Sequence, residues 1–126
     1  EYGFVVIRDH GISPEEMAKT YSLVQRLFEL PVETKLQYDS GSGGARGYTA
    51  FGRENAAGNP HADLKEFWHV GQTLRSTSQY IGTYAENVWP KELPEFEPVL
   101  GGMYRELENL SKTLLEVVGD ALGLKR

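Results

Sequence analysis

Apolar and polar positions alternate along this chain in two distinct rhythms. Residues 2 to 8 (Tyr-Gly-Phe-Val-Val-Ile-Arg) form a compact β-branched and aromatic run bounded by Gly11, which predicts a strand buried on both faces. Ser13-Pro14-Glu15-Glu16 then sets a helix start. Ser13 accepts from the backbone of the first turn, Pro14 suits the first helical position, and Glu16 closes a capping box. Met17, Tyr21, Val24 and Phe28 follow at helical spacing, with Leu27 alongside. Pro31 ends that helix, and Pro-Val-Glu-Thr-Lys-Leu-Gln-Tyr predicts a second, shorter one headed by Pro31 or Val32.

Residues 39 to 60 lose both rhythms. They are rich in Gly, Ser and Asn with Arg46 and Arg53 embedded, and read as a long loop carrying a short strand over Tyr48 to Phe51. Leu64 to Val70 predicts the second strand. Its period of two puts Leu64, Glu66, Trp68 and Val70 on one face, and Lys65, Phe67 and His69 on the other. An irregular stretch over 71 to 94 precedes the longest element. Phe96, Leu100, Met103, Leu107, Leu110, Leu114, Val117 and Leu122 recur at helical intervals, with Pro98 tolerable in a first turn and Gly123 as the C-terminal stop. Trp89 is expected to pack beneath this helix.

Composition narrows the function classes. A length of 126 residues suits one domain, and 40% apolar with 25% charged residues is an ordinary globular balance. The net charge of −5 argues against a nucleic-acid partner, because phosphate binding rests on clustered Lys and Arg. No apolar run approaches the roughly 20 residues that span a bilayer. Zero cysteines exclude disulfides and thiolate sites and fit a cytoplasmic location. The start at Glu1 and the stop after Leu-Lys-Arg read as cuts, so the expectation is a part of a longer protein.

His61-Ala62-Asp63, with His69 six positions later, raises the question of iron. Residues two apart on a strand point the same way, so His61 and Asp63 can share an ion. Six further residues at about 3.3 Å each carry His69 roughly 20 Å away, whereas a ligand sits about 2 Å from its metal. A helix fails too, because positions 61 and 63 diverge on it. A bend at Pro60, with His10 arriving from elsewhere, is the arrangement that would still build a site. The plainer reading is a polar loop end ahead of a strand, and no metal ligand is assigned here. The glycines of Gly-Ser-Gly-Gly-Ala-Arg-Gly (41 to 47) match neither phosphate-loop spacing, and no G-x-S-x-G elbow is present. Glu66 reads as an edge or partner-satisfied carboxylate rather than a buried acid of raised pKa, and His69 as a packed ring.

Several blocks together resemble one family. Tyr-Gly-Phe-Val-Val-Ile-Arg-Asp-His-Gly-Ile-Ser, Leu-Phe-Glu-Leu-Pro-Val-Glu-Thr-Lys-Leu-Gln-Tyr, Arg-Gly-Tyr-Thr-Ala-Phe-Gly-Arg-Glu, Asp-Leu-Lys-Glu-Phe-Trp-His-Val-Gly, and Asn-Val-Trp-Pro followed by Leu-Pro-Glu-Phe stand in the order found in isopenicillin N synthase-like Fe(II)/2-oxoglutarate dioxygenases. The closing Leu-Leu-Glu-Val-Val-Gly-Asp-Ala-Leu-Gly-Leu is similar to the helix that ends that family's N-terminal region.

The resemblance implies a mixed α/β fragment over 1 to 126: the N-terminal region, strands plus a long closing helix, of a double-stranded β-helix (jelly-roll) oxygenase whose catalytic half is absent. It implies that Fe(II) and 2-oxoglutarate are bound by the missing C-terminal half, by a His-x-Asp…His triad and an Arg-x-Ser. The chain's partners are then a small-molecule substrate and its own C-terminal catalytic domain, without nucleic acid or membrane. The Gly-Tyr block would approach the active-site mouth, making Arg46, Tyr48 and, less directly, Arg53 candidates for substrate binding. A guanidinium can grip a carboxylate by two parallel bonds, and a tyrosine can stack or donate. The alternative for these residues is a solvated arginine and a tyrosine covering the core. For the whole chain, the alternative is a non-catalytic binding or interaction module that keeps this fold.

Overall fold

The computed structural model describes residues 3–54 and 60–124. Helix α1 covers Pro14–Phe28, α2 Val32–Leu36, strand β1 Gly47–Thr49, strand β2 Phe67–His69 and helix α3 Phe96–Ala121. The capping box at the head of α1 is formed in both directions: Glu16 N donates to Ser13 Oγ at 3.0 Å, and Ser13 N donates to Glu16 Oε2 at 3.2 Å. Pro14 occupies the first turn, and Pro31 precedes α2 as expected. At the far end of α3, Gly123 takes φ +67°. The Leu124 and Gly123 amides then reach the Gly119 and Asp120 carbonyls at 2.9 and 3.0 Å, which satisfies carbonyls that the helix end would leave unpaired.

The core forms where α1 crosses the start of α3. Leu23, Leu27, Leu93 and Phe96 are buried together, with Val24, Trp68, Trp89 and Leu100 packed against them. The buried stripe of α1 is largely the expected one, centred on Leu27 with Val24 beside it, but shifted towards Leu23. Tyr21 is exposed, while Leu23 and Leu27 face α3. Two adjoining apolar rows run along this helix, and only the position of the partner helix decides which one is covered. Trp89 does lie against the first turn of α3, its ring 6.3 Å from that of Phe96.

The sheet is small. β1 and β2 pair antiparallel, with Tyr48 opposite Trp68 and Thr49 opposite Phe67. β1 sits within one residue of its expected start and ends before Phe51. β2 is the centre of the expected strand, and Leu64 stands in solvent.

The expected first strand is corrected. Residues 3 to 8 adopt no regular structure, and Phe4, Val5 and Val6 are 96%, 80% and 88% exposed; Tyr2 lies outside the described residues. A strand needs a neighbour to accept its ladder of hydrogen bonds. The only sheet among the described residues is β1–β2, on which this segment has no place.

Candidate functional site

The loop from Tyr38 to Arg53 carries all three candidate residues, and the sheet anchors it. Gly47 has φ +71°, and a Cβ there would overlap the Tyr38 carbonyl oxygen. That carbonyl accepts from Tyr48 N at 3.0 Å, so the absence of a side chain at 47 lets the loop close on itself.

Tyr48 and Trp68 are cross-strand partners, and Glu66 lies two residues from Trp68 on the same face. The Tyr48 hydroxyl donates to Glu66 Oε2 at 2.5 Å, and Lys35 Nζ donates to the same oxygen at 2.8 Å. Lys35 Nζ also donates to the Phe28 carbonyl at 2.9 Å. Burial by itself would push the Glu66 carboxyl up, but the bonds from Lys35 and Tyr48 outweigh it and hold the carboxyl below its usual range. Burial, reinforced by the Glu66 bond and charge, pushes the Tyr48 phenol up to about 12. Glu66 is thus the partner-satisfied carboxylate that its strand position suggested. Tyr48 is 1% exposed with its hydroxyl engaged inward. Of its two readings, this geometry fits the tyrosine that covers the core.

Arg46 differs. Its guanidinium lies over Gly71, where any side chain would collide with it. Nη1 donates to the Ala45 carbonyl at 2.6 Å, while Nε is buried without an acceptor. Arg53 is an exposed side chain whose Nη2 pairs with Asp39 Oδ2 at 2.7 Å. Asp39 accepts from Gly41 N as well, and the backbone bond followed by the Arg53 bond lowers its pKa. Arg53 and Asp39 line a cleft of about 300 Å³ with the glycines of 41 to 44. The structure therefore puts Arg46 and Arg53 on two sides of the loop and Tyr48 beneath it.

The histidines do not converge. His69 Nδ1 contacts the Gly44 carbonyl, and its ring lies 4.7 Å from that of Phe67. Asp63 forms an ion pair with Lys65 at 3.4 Å, and Asp63 N donates to the Glu54 carbonyl. His10 Nδ1 accepts from Ile12 N at 3.2 Å, in the turn before α1. Among the described residues no three His, Cys, Asp or Glu side chains are grouped to hold a metal ion. The described donor set therefore does not fit iron.

Lys35 is the residue of this cluster that pattern reading missed. Its position in a short polar helix predicts a solvated ammonium; the one signal was that it closes the Pro-Val-Glu-Thr-Lys block.

Residues 1–92 match the family model described as "non-haem dioxygenase in morphine synthesis N-terminal". The chain belongs to this family. Two similar relatives are the 2-oxoglutarate-dependent dioxygenases ecdK of Aspergillus rugulosus and thnC of Trichoderma harzianum. They are 28% and 30% identical over 98% of this chain, which covers 41% and 39% of their lengths. A crystal structure of a 2OG-Fe(II) oxygenase family protein from Caulobacter crescentus is 40% identical and superposes with a TM-score of 0.86. The likeness covers 98% of this chain and 41% of that one. This member of the non-haem dioxygenase N-terminal family therefore spans about two fifths of the proteins it matches. The resemblance read from the ordered blocks is confirmed at the level of family and N-terminal position.

Proposed function

We propose that the chain is the N-terminal scaffold and substrate-side part of a 2-oxoglutarate/Fe(II)-dependent oxygenase that oxidises a small organic substrate in the cytoplasm. In this reading residues 1–126 are one domain, Fe(II) and 2-oxoglutarate are held by a C-terminal jelly-roll half, and that half is the chain's principal partner. The observation that carries it is the 40% identical likeness to an oxygenase-family structure over 98% of this chain but only 41% of that one. Iron activated by a co-substrate would supply the oxidising chemistry. This chain's residues shape and orient.

Within that reading Arg46 is the substrate-side residue with the best geometry. Its guanidinium makes one hydrogen bond among the described residues, from Nη1 to the Ala45 carbonyl, and the half-buried group keeps Nη2 as a spare donor suited to grip a carboxylate. Arg53 is a second contact, already pre-oriented by Asp39. Tyr48 acts from below by pinning β1, which Arg46 immediately precedes.

The test is succinate formation. Full-length protein should convert 2-oxoglutarate to succinate only with Fe(II), while residues 1–126 alone should bind neither. Failure of the full-length protein to bind or turn over 2-oxoglutarate would overturn the reading. Arg46→Gln should raise KM for the organic substrate about tenfold or more with the Fe(II) and 2-oxoglutarate requirements unchanged, the loss expected for one charge-assisted pair.

A further inference from the structure

A second, larger cleft borders the Gly-Tyr loop at Gly71, beneath the Arg46 guanidinium. It has a volume of about 580 Å³ and runs between residues 71–80 and the middle of α3, with Gly71 and Gly101 on its walls. That size is typical of a small-molecule site. The charge of its lining is opposite to that of the chain. Arg75, Arg105 and Lys112 face it against a single carboxylate, Glu108, although the protein as a whole carries −5. Glu108 is already engaged: Gln72 Nε2 donates to its Oε1 at 2.8 Å, and Lys112 Nζ lies 3.5 Å from the same oxygen.

The two guanidiniums are left over. Among the described residues no carboxylate pairs with Arg75 or Arg105. Arg105 folds back along its own helix, its Nη1 in ordinary contact range of the Cβ position at Gly101, where a glycine leaves the wall open. Tyr80 and Tyr104 add aromatic edges and hydroxyls to the same lining. A concave surface lined by one sign of charge concentrates the opposite ion, and guanidiniums match a carboxylate by paired N–H donors.

We infer that this cleft is an anion site in which Arg75 and Arg105 grip the carboxylate of a small organic acid whose body lies against Tyr80 and Tyr104. Arg46 is not among the lining residues, although its guanidinium lies over Gly71 at the cleft's edge, and the site does not depend on the oxygenase reading, because it requires neither iron nor turnover.

The probe is benzoate, with benzamide as its neutral counterpart, titrated into full-length protein by calorimetry with 2-oxoglutarate saturating so that any site for that co-substrate is filled. Benzoate should bind at least tenfold more tightly than benzamide and weaken with added salt. Arg75→Gln and Arg105→Gln should each reduce benzoate affinity about tenfold, with benzamide affinity and melting temperature unchanged, since both side chains are exposed. As a second readout, benzoate should shift the side-chain Nε–H resonances of Arg75 and Arg105 in the unmutated protein. Equal binding of benzoate and benzamide, unshifted Arg75 and Arg105 resonances, or a loss of binding in Arg46→Gln but not in the other two variants would each overturn the assignment.

Discussion

The Tyr48 hydroxyl and the Glu66 carboxylate meet 2.5 Å apart beneath the loop that carries Arg46, on the oxygen that Lys35 also holds. This triangle joins α2, β1 and the residue just ahead of β2, and the cost of breaking it follows from burial. The Lys35 side chain is 4% exposed, so removing its counter-charge leaves an ammonium in a site without water. Glu66→Ala should destabilise the protein by about 3–5 kcal/mol, the range for one orphaned member of a buried pair. Lys35→Met combined with Glu66→Leu should cost less than the sum of the two single changes by at least about 1 kcal/mol. Urea unfolding of the four proteins checks this, and strict additivity would show that the two side chains act independently.

The same triangle sets the pH limits of stability. The Glu66 carboxyl is held below its ordinary range, so its contribution is complete above the unfolded carboxylate pKa and fades as pH falls through the lower folded value. The Tyr48 phenol moves the other way, from 10.0 to about 12. Its contribution is complete below about pH 10 and is lost as pH rises from there towards 12, where the unfolded chain releases a proton that the folded one retains. Tyr48→Phe keeps the buried ring and should flatten the alkaline limb between pH 10 and 12. An unchanged alkaline limb would mean that the hydroxyl is not held as described.

Loop closure at Gly47 gives an internal comparison. Gly47 and Gly41 both have positive φ, but a Cβ at 47 meets the Tyr38 carbonyl whereas one at 41 meets nothing within 4 Å. Gly41→Ala should cost about 1 kcal/mol, the backbone penalty alone. Gly47→Ala adds the collision and loss of the Tyr48–Tyr38 bond, and should exceed it by about 2 kcal/mol or more. Equal losses in thermal unfolding would remove the close approach as the reason for glycine at 47.

What could be read ahead of the structure was whatever the chain encodes locally. Ser13, Pro14 and Glu16 fix the start of α1 through bonds that span three residues, and Gly123 closes α3 in the same way. The period of two was enough to put Glu66 with Trp68, and the ordered blocks were enough for the family. Features set by distant partners were not legible. Leu23 rather than Tyr21 is buried because of where α3 lies, and Phe4 to Val6 stay unpaired because no strand among the described residues receives them. The cluster at Lys35 and the cleft cations Arg75 and Arg105 come from segments far apart in sequence, with no spacing to announce them.

Helix α3 is covered only at its beginning. Phe96 is buried, whereas Leu115, Val118 and Leu122 recur on one face three and four residues apart and remain exposed. Together these three make one exposed apolar helix face, of a kind that usually marks an interaction surface. If a C-terminal half covers it, residues 1–126 alone should self-associate in sedimentation velocity at tens of micromolar, and Leu115→Lys with Val118→Lys should return them to a monomer with the same helical content. In full-length protein the same two changes should be destabilising by about 2 kcal/mol or more, since each charge would enter a covered apolar face. A monomeric isolated chain, together with a full-length protein indifferent to both lysines, would mean that this face meets water in the intact protein as well.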